Sequence, residues 1–160
     1  MLISILAVSL MIITNWDFIF LPLFLLITWV VSNRHGLERE QTQLIRFYKL
    51  GLWAKVIGAV ALGLIYQYYY GGGDTIAYYA GGKAVTRYLL AEPAEAMRFL
   101  LFGGPDDLGY VQRYHRYWSY FFVFDSGSQE VPVIKFAGVL NLLGLNTYTG
   151  TAIWFALLAY

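Results

Sequence analysis

The chain contains no cysteine. That excludes disulfides, thiolate catalysis and cysteine-ligated metals. Charge is scarce as well: 13% of the 160 residues are Asp, Glu, Lys or Arg, about half the usual share of a soluble domain. Eleven basic residues against ten acidic ones leave a formal charge of +1, so no global field attracts nucleic acid. No P-loop, HExxH or GxGxxG sequence is present, and no Ser–His–Asp set is legible. The start, Met1-Leu2-Ile3-Ser4, lacks a basic n-region, and no small-residue cleavage site follows the first apolar run. It reads as a retained membrane segment rather than a signal peptide.

What is abundant is apolar. Hydrophobic residues make up 59% of the chain and aromatic residues 19%, and they lie in blocks between polar loops. This distribution predicts an all-α polytopic membrane protein. Leu2–Ile13 and Phe18–Val31 are apolar runs broken by Thr14-Asn15-Trp16-Asp17. Each is shorter than the roughly 20 residues of a perpendicular span. Residues 1–31 therefore form either a hairpin turning at Asn15–Asp17 or one helix kinked near Pro22, and turn chemistry favours the hairpin. Residues 32–49 form a polar loop holding Arg34, Arg39, Arg46 and Lys49, which the positive-inside rule puts in the cytoplasm. Residues 50–70 are the next span, running outward to the tyrosine cluster Tyr66–Tyr70, with Lys55 snorkelling back.

Residues 71–130 form a long outer loop. Within it Thr75–Leu90 reads as an amphipathic helix. Glu92-Pro93-Ala94-Glu95 reads as the start of a second, ending at Gly103-Gly104-Pro105. Both are expected to lie in the membrane interface plane. Tyr110–Phe124 has the composition of an aromatic belt. Residues 131–160 hold a membrane segment to about Leu145, a break at Thr147–Gly150 and the opening of another run. An apolar run of ten residues at the end suggests the front of a longer polytopic protein.

Four groups of residues are candidates for chemistry. Asp74 follows three glycines at the membrane exit, where a carboxylate serves as a helix N-cap or as a base. Asp106 and Asp107 offer paired oxygen ligands for a divalent cation, or a solvated turn. Arg113, His115 and Arg116, interleaved with aromatics, suit a phosphate clamp or a belt on headgroups. Lys135, Asn141 and Asn146 are polar residues near or within a membrane segment, where helix–helix hydrogen bonding is the expected role.

Asp74-Thr75-Ile76-Ala77-Tyr78-Tyr79 resembles the Asp-x-x-x-Tyr pattern of GT-C type membrane glycosyltransferases, which carry an acid in the first long outer loop. Thr75–Phe102 is similar to their two juxtamembrane helices. The likeness covers about Leu50–Gly150. It implies a polyprenyl-phosphate sugar donor, transfer on the outer face and Asp74 as catalytic base. Tyr78, Tyr79, Arg113, His115 and Arg116 would then bind substrate. Asp106 or Asp107 would serve a metal or auxiliary role, so a divalent cation is the one cofactor implied. The partners expected are membrane lipid, the lipid-linked sugar and other membrane subunits, and the location is the cytoplasmic membrane of a bacterium. An extra apolar segment before the first helix departs from that pattern. The rival reading is a non-catalytic accessory subunit of a larger membrane complex, in which Asp74 is only a cap. Half of a transporter is a third.

Overall fold

The computed structural model describes residues 13–34, 42–114 and 130–160, and all regular structure among them is helical. In chain order the elements are α1 (Asn15–Arg34), α2 (Thr42–Ile65), α3 (Asp74–Ala91), α4 (Pro93–Phe102), α5 (Leu108–Gln112), α6 (Val131–Leu143) and α7 (Tyr148–Leu158). A π turn, Tyr66–Tyr70, extends α2, and a 3₁₀ turn, Pro105–Asp107, precedes α5.

Among the described residues, two helices are long and apolar enough to cross a membrane: α1 over Asn15–Asn33, and α2 with its π turn over Leu44–Tyr70. The pair α6 and α7 passes the same test only jointly, and it is bent by 112°. The core is largely apolar, but large apolar side chains also cover the outside and several polar ones lie within. Trp16, Phe18, Ile19, Leu26 and Trp29 of α1 and Phe47, Leu50 and Ile57 of α2 are exposed, while Asp17, Thr28, Ser32, Thr86, Asn141 and Thr149 are buried. Hydrocarbon surroundings suit that arrangement, because apolar faces cost nothing there and polar groups must find partners inside. The buried hydroxyls do so locally: Thr28 Oγ1 donates to Phe24 O at 2.9 Å and Ser32 Oγ to Trp29 O at 2.8 Å.

Asn15–Asp17 opens a helix. Thr14 stands at the cap position, and Asp17 reaches back to accept from Thr14 N at 2.8 Å and Thr14 Oγ1 at 3.1 Å. This is the reciprocal half of a capping box. Pro22 sits inside α1, and residues 1–12, the other arm of the expected hairpin, lie outside the described residues. The polar loop is shorter than expected. Helix α1 runs to Arg34 and α2 begins at Thr42. Gln, Leu, Arg and Lys are good helix formers, and no Gly or Pro interrupts Thr42–Leu50. Lys49 Nζ ties the two helices by donating to Asn33 Oδ1 at 2.6 Å. At their other ends, the Gln67 amide donates to Ile13 O at 3.1 Å and accepts from Ile13 N at 2.5 Å.

Helix α3 departs most from expectation. It is the central packing element, with ten of its eighteen residues buried, more than an amphipathic pattern predicts. Ala77, Gly81, Gly82 and Ala84 let α6 approach closely, and Ala137 and Gly138 do the same from the other side. A Cβ at Gly82 would stand 2.7 Å from the backbone carbon of Ala137. Small residues at a shared seam are how apolar helices bring backbones together. Helix α4 spans Pro93–Phe102 and stops at Gly103, as expected. Lys135 Nζ donates to Gly103 O at 2.6 Å and lies 5.0 Å from the Phe99 ring centre, which fastens the C-terminus of α4 to α6.

The segment expected to cross the membrane from Val131 turns sharply after Leu143. Leu145 and Asn146 adopt φ of 53° and 62°, a left-handed region unfavourable to leucine. The break falls there, and Thr147–Gly150 begins α7 instead of ending a span. Thr147 Oγ1 accepts from Gly150 N at 3.2 Å as the N-cap of α7. Helix α7 then runs antiparallel to α2. Tyr148 packs over Gly63 at one end. At the other, Tyr160 lies over Gly51 and donates to Tyr48 O at 2.7 Å. Asn141 joins three helices, accepting from Thr86 Oγ1 of α3 and donating to Thr151 Oγ1 of α7, each at 3.2 Å. The helix-bonding role expected of Asn141 matches this. Asn141→Leu is expected to destabilise the fold by about 1 kcal/mol, the scale of interhelical hydrogen bonds in membranes, read as a lower melting temperature in detergent. An unchanged melt would show that Thr86 and Thr151 are satisfied without it.

Candidate functional site

A cleft of about 460 Å³ runs between α2 and α7 beneath α3. It exists because the facing helices carry small residues there: Gly58 and Ala59 on α2, Ala152 and Ala156 on α7. Leu62 and Phe155 complete apolar walls. At one end Lys55 Nζ donates to Ala159 O at 2.6 Å and so caps the C-terminus of α7. At the other end α3 supplies Thr75, Tyr78 and Tyr79. The cleft is thus an apolar slot along a membrane-length helix, with hydroxyls gathered beside the C-terminal end of α2.

Asp74 stands at that hydroxyl end. It is the first residue of α3 and is exposed. Gly73 occupies the cap position at φ 154°, with the Tyr66 ring close over it. The N-cap role is therefore held by a glycine with no side-chain bond, and the Asp74 carboxyl is not committed to capping. Its place in the first turn still favours negative charge through the helix dipole. Tyr78 lies one turn further along the same face and lines the cleft. Desolvation holds the Tyr78 phenol above its ordinary pKa, helped by the negative charges of Glu130 and Asp74. Glu130, just before α6, thus belongs to the same neighbourhood. Its Oε2 is buried with no hydrogen-bond partner among the described residues. Sequence reasoning passed over it, although an acid immediately before Val131-Pro132 is a helix-start signal.

Tyr79 has a different task. Its hydroxyl donates to Asn146 O at 2.9 Å, and its ring meets Tyr148 edge-on at 5.3 Å. Burial pushes its phenol well above the ordinary range, so it remains a neutral donor bracing the α6–α7 bend.

The remaining candidates do not gather around Asp74. Arg113 lies over the Tyr110 ring at 5.4 Å and lines a second, polar cleft near Tyr88. Fourteen residues of α3 separate Asp74 from Tyr88, about 21 Å at helical rise. His115 and Arg116 lie outside the described residues. Asp106 is exposed, and Asp107 Oδ2 accepts from Gly104 N at 2.8 Å. Asp107 thereby closes its own turn, and among the described residues no group of three or more His, Asp or Glu side chains is placed to hold a metal ion.

Among the described residues, Asp17 is the acidic side chain that is fully buried. Besides its bonds to Thr14, it accepts from Thr149 N at 2.8 Å and Thr149 Oγ1 at 3.1 Å. One side chain therefore satisfies the N-termini of α1 and α7 together. From sequence it read only as a turn residue, since nothing local points to a partner 132 positions away.

No protein-family model matches the chain, and no curated protein or solved structure was found to match it.

Proposed function

We propose that this chain is membrane-embedded and belongs to an enzyme that transfers a sugar from a polyprenyl-phosphate carrier, with Asp74 as the base. The observation that carries this reading is the conjunction at the start of α3. Asp74 is exposed and free of a capping role, while Tyr78, one turn on, lines an apolar slot of about 460 Å³. Such a slot accepts an isoprenoid chain through apolar contact, and the lipid-borne group emerges beside the carboxylate. Asp74 takes the proton from an acceptor hydroxyl. The hydroxyl oxygen bonds to the anomeric carbon, and the bond from that carbon to the phosphate oxygen breaks. The polyprenyl phosphate leaves with the electron pair. Lipid surroundings are supported by two membrane-length helices and by the exposed apolar faces of α1 and α2. The cytoplasmic membrane of a bacterium remains the expected location.

Asp74→Asn tests it in native membranes carrying the protein, with a radiolabelled sugar on polyprenyl phosphate as donor. Transfer should fall by at least about 100-fold, the usual contribution of a general base, with an unchanged melting temperature. Undiminished transfer would remove Asp74 from the mechanism. The second reading, a non-catalytic subunit, is favoured by the breadth of apolar surface on α1, from Trp16 to Trp29, which another membrane chain would cover. It predicts a stoichiometric partner on mild solubilisation and no transfer by any variant.

A further inference from the structure

The second cleft, about 430 Å³, is unlike the first. Glu92, Glu95 and Asp107 line it together with Arg98 and Arg113, over the rings of Tyr88, Phe99 and Tyr110. Two of the three acids are already engaged: Tyr114 OH donates to Glu92 Oε1 at 2.5 Å, and Asp107 closes its turn. That hydrogen bond, first, and then desolvation hold the Tyr114 phenol above its ordinary pKa. Glu95 and Arg98, by contrast, are exposed and carry no hydrogen bond among the described residues. They stand three positions apart on α4, hence side by side on one face.

The next face of α4 is apolar and also exposed. Met97 is 50% exposed, Leu101 65% and Phe102 82%. Phe102 joins the two, since it lines the cleft as well. Paired charges of opposite sign open directly onto an apolar surface. A free saccharide would have no use for that surface. An anionic lipid would have no use for the acids.

We propose that this cleft binds the headgroup of a zwitterionic phospholipid with a primary ammonium, as in phosphatidylethanolamine. Arg98 and Arg113 hold the phosphodiester through their planar donors. Glu95 accepts from the ammonium. The acyl chains leave over Phe102 and Leu101. The site lies about 21 Å along α3 from Asp74 and stands whether or not the chain transfers sugars.

The test uses the whole chain reconstituted with equal phosphatidylethanolamine and phosphatidylglycerol of matched acyl chains. After mild detergent extraction, retained lipid is counted by native mass spectrometry. The wild type should keep phosphatidylethanolamine over phosphatidylglycerol by about tenfold. Arg98→Ala and Glu95→Gln should each reduce that retention by about tenfold, the equilibrium equivalent of one charge-assisted hydrogen bond. Met97→Gln, on the apolar face, should lower both lipids alike and leave their ratio intact. Equal retention of the two lipids by the wild type would overturn the proposal. So would undiminished phosphatidylethanolamine in both charge variants, or its displacement by free lactose but not by phosphoethanolamine.

Discussion

Asp17→Ala should cost the fold about 3 kcal/mol, the largest single-residue loss expected in the chain. The side chain is fully buried and accepts four hydrogen bonds, two from Thr14 and two from Thr149. Its removal strands backbone N–H groups at the starts of α1 and α7, each at about 1–3 kcal/mol when left unsatisfied in a dry interior. Asp17→Asn should recover little, because its amide N–H groups would face donors where the carboxylate accepts. The measurement is an unfolding titration in mixed micelles, followed by tryptophan fluorescence. Trp16 and Trp154 lie on the two helices that Asp17 joins, and with the other three tryptophans they follow unfolding of the whole chain. A loss below about 0.5 kcal/mol for Asp17→Ala would mean that the two helix starts do not depend on this carboxylate.

The second large effect concerns a glycine. Gly82→Ala would drive a methyl group to within 2.7 Å of the Ala137 backbone and 2.8 Å of its side chain. Neither can yield without moving α6 away from α3. Overpacking of this kind costs about 1–3 kcal/mol. A gain is expected for the same substitution at Gly58, in the interior of α2, where nothing lies within 4 Å. There alanine should stabilise by about 0.5–1 kcal/mol through helix propensity. The opposite signs separate the seam from a general property of glycine in these helices. Melting curves of the two variants suffice. A Gly82→Ala protein as stable as the wild type would contradict the close approach of α3 and α6.

The elements legible in the sequence were those specified by local chemistry. Pro93 after Glu92, and Gly103 after Phe102, bound α4 where they should, because capping residues act within a turn. Gly71 ends the turn that extends α2 for the same reason, with a left-handed backbone at φ 67°. Asn141 was legible as a helix-bonding residue because a polar group in an apolar run has few other uses. What could not be read depended on contacts across the chain. The seam of Ala77, Gly81, Gly82 and Ala84 shows in α3 as small residues, but its meaning comes from Ala137 and Gly138 on α6. Periodicity alone gave an amphipathic surface helix. The bend after Leu143 was misplaced by a few residues, because leucine at position 145 gives no warning of a left-handed backbone. Of the site, Asp74 and Tyr78 were legible as a motif. The slot beside them was not, since it arises from Gly58, Ala59, Ala152 and Ala156 on two helices far apart in sequence.

That slot is the centre of the functional account, and photo-crosslinking tests it most directly. A polyprenyl-phosphate analogue with a diazirine midway along its chain would be irradiated in membranes carrying the protein, and the labelled peptides mapped by mass spectrometry. The account predicts adducts on Leu62, Ala152 and Phe155, abolished when Ala152→Trp fills the cleft. Label scattered over the exposed faces of α1 and α2, and unchanged in Ala152→Trp, would contradict it.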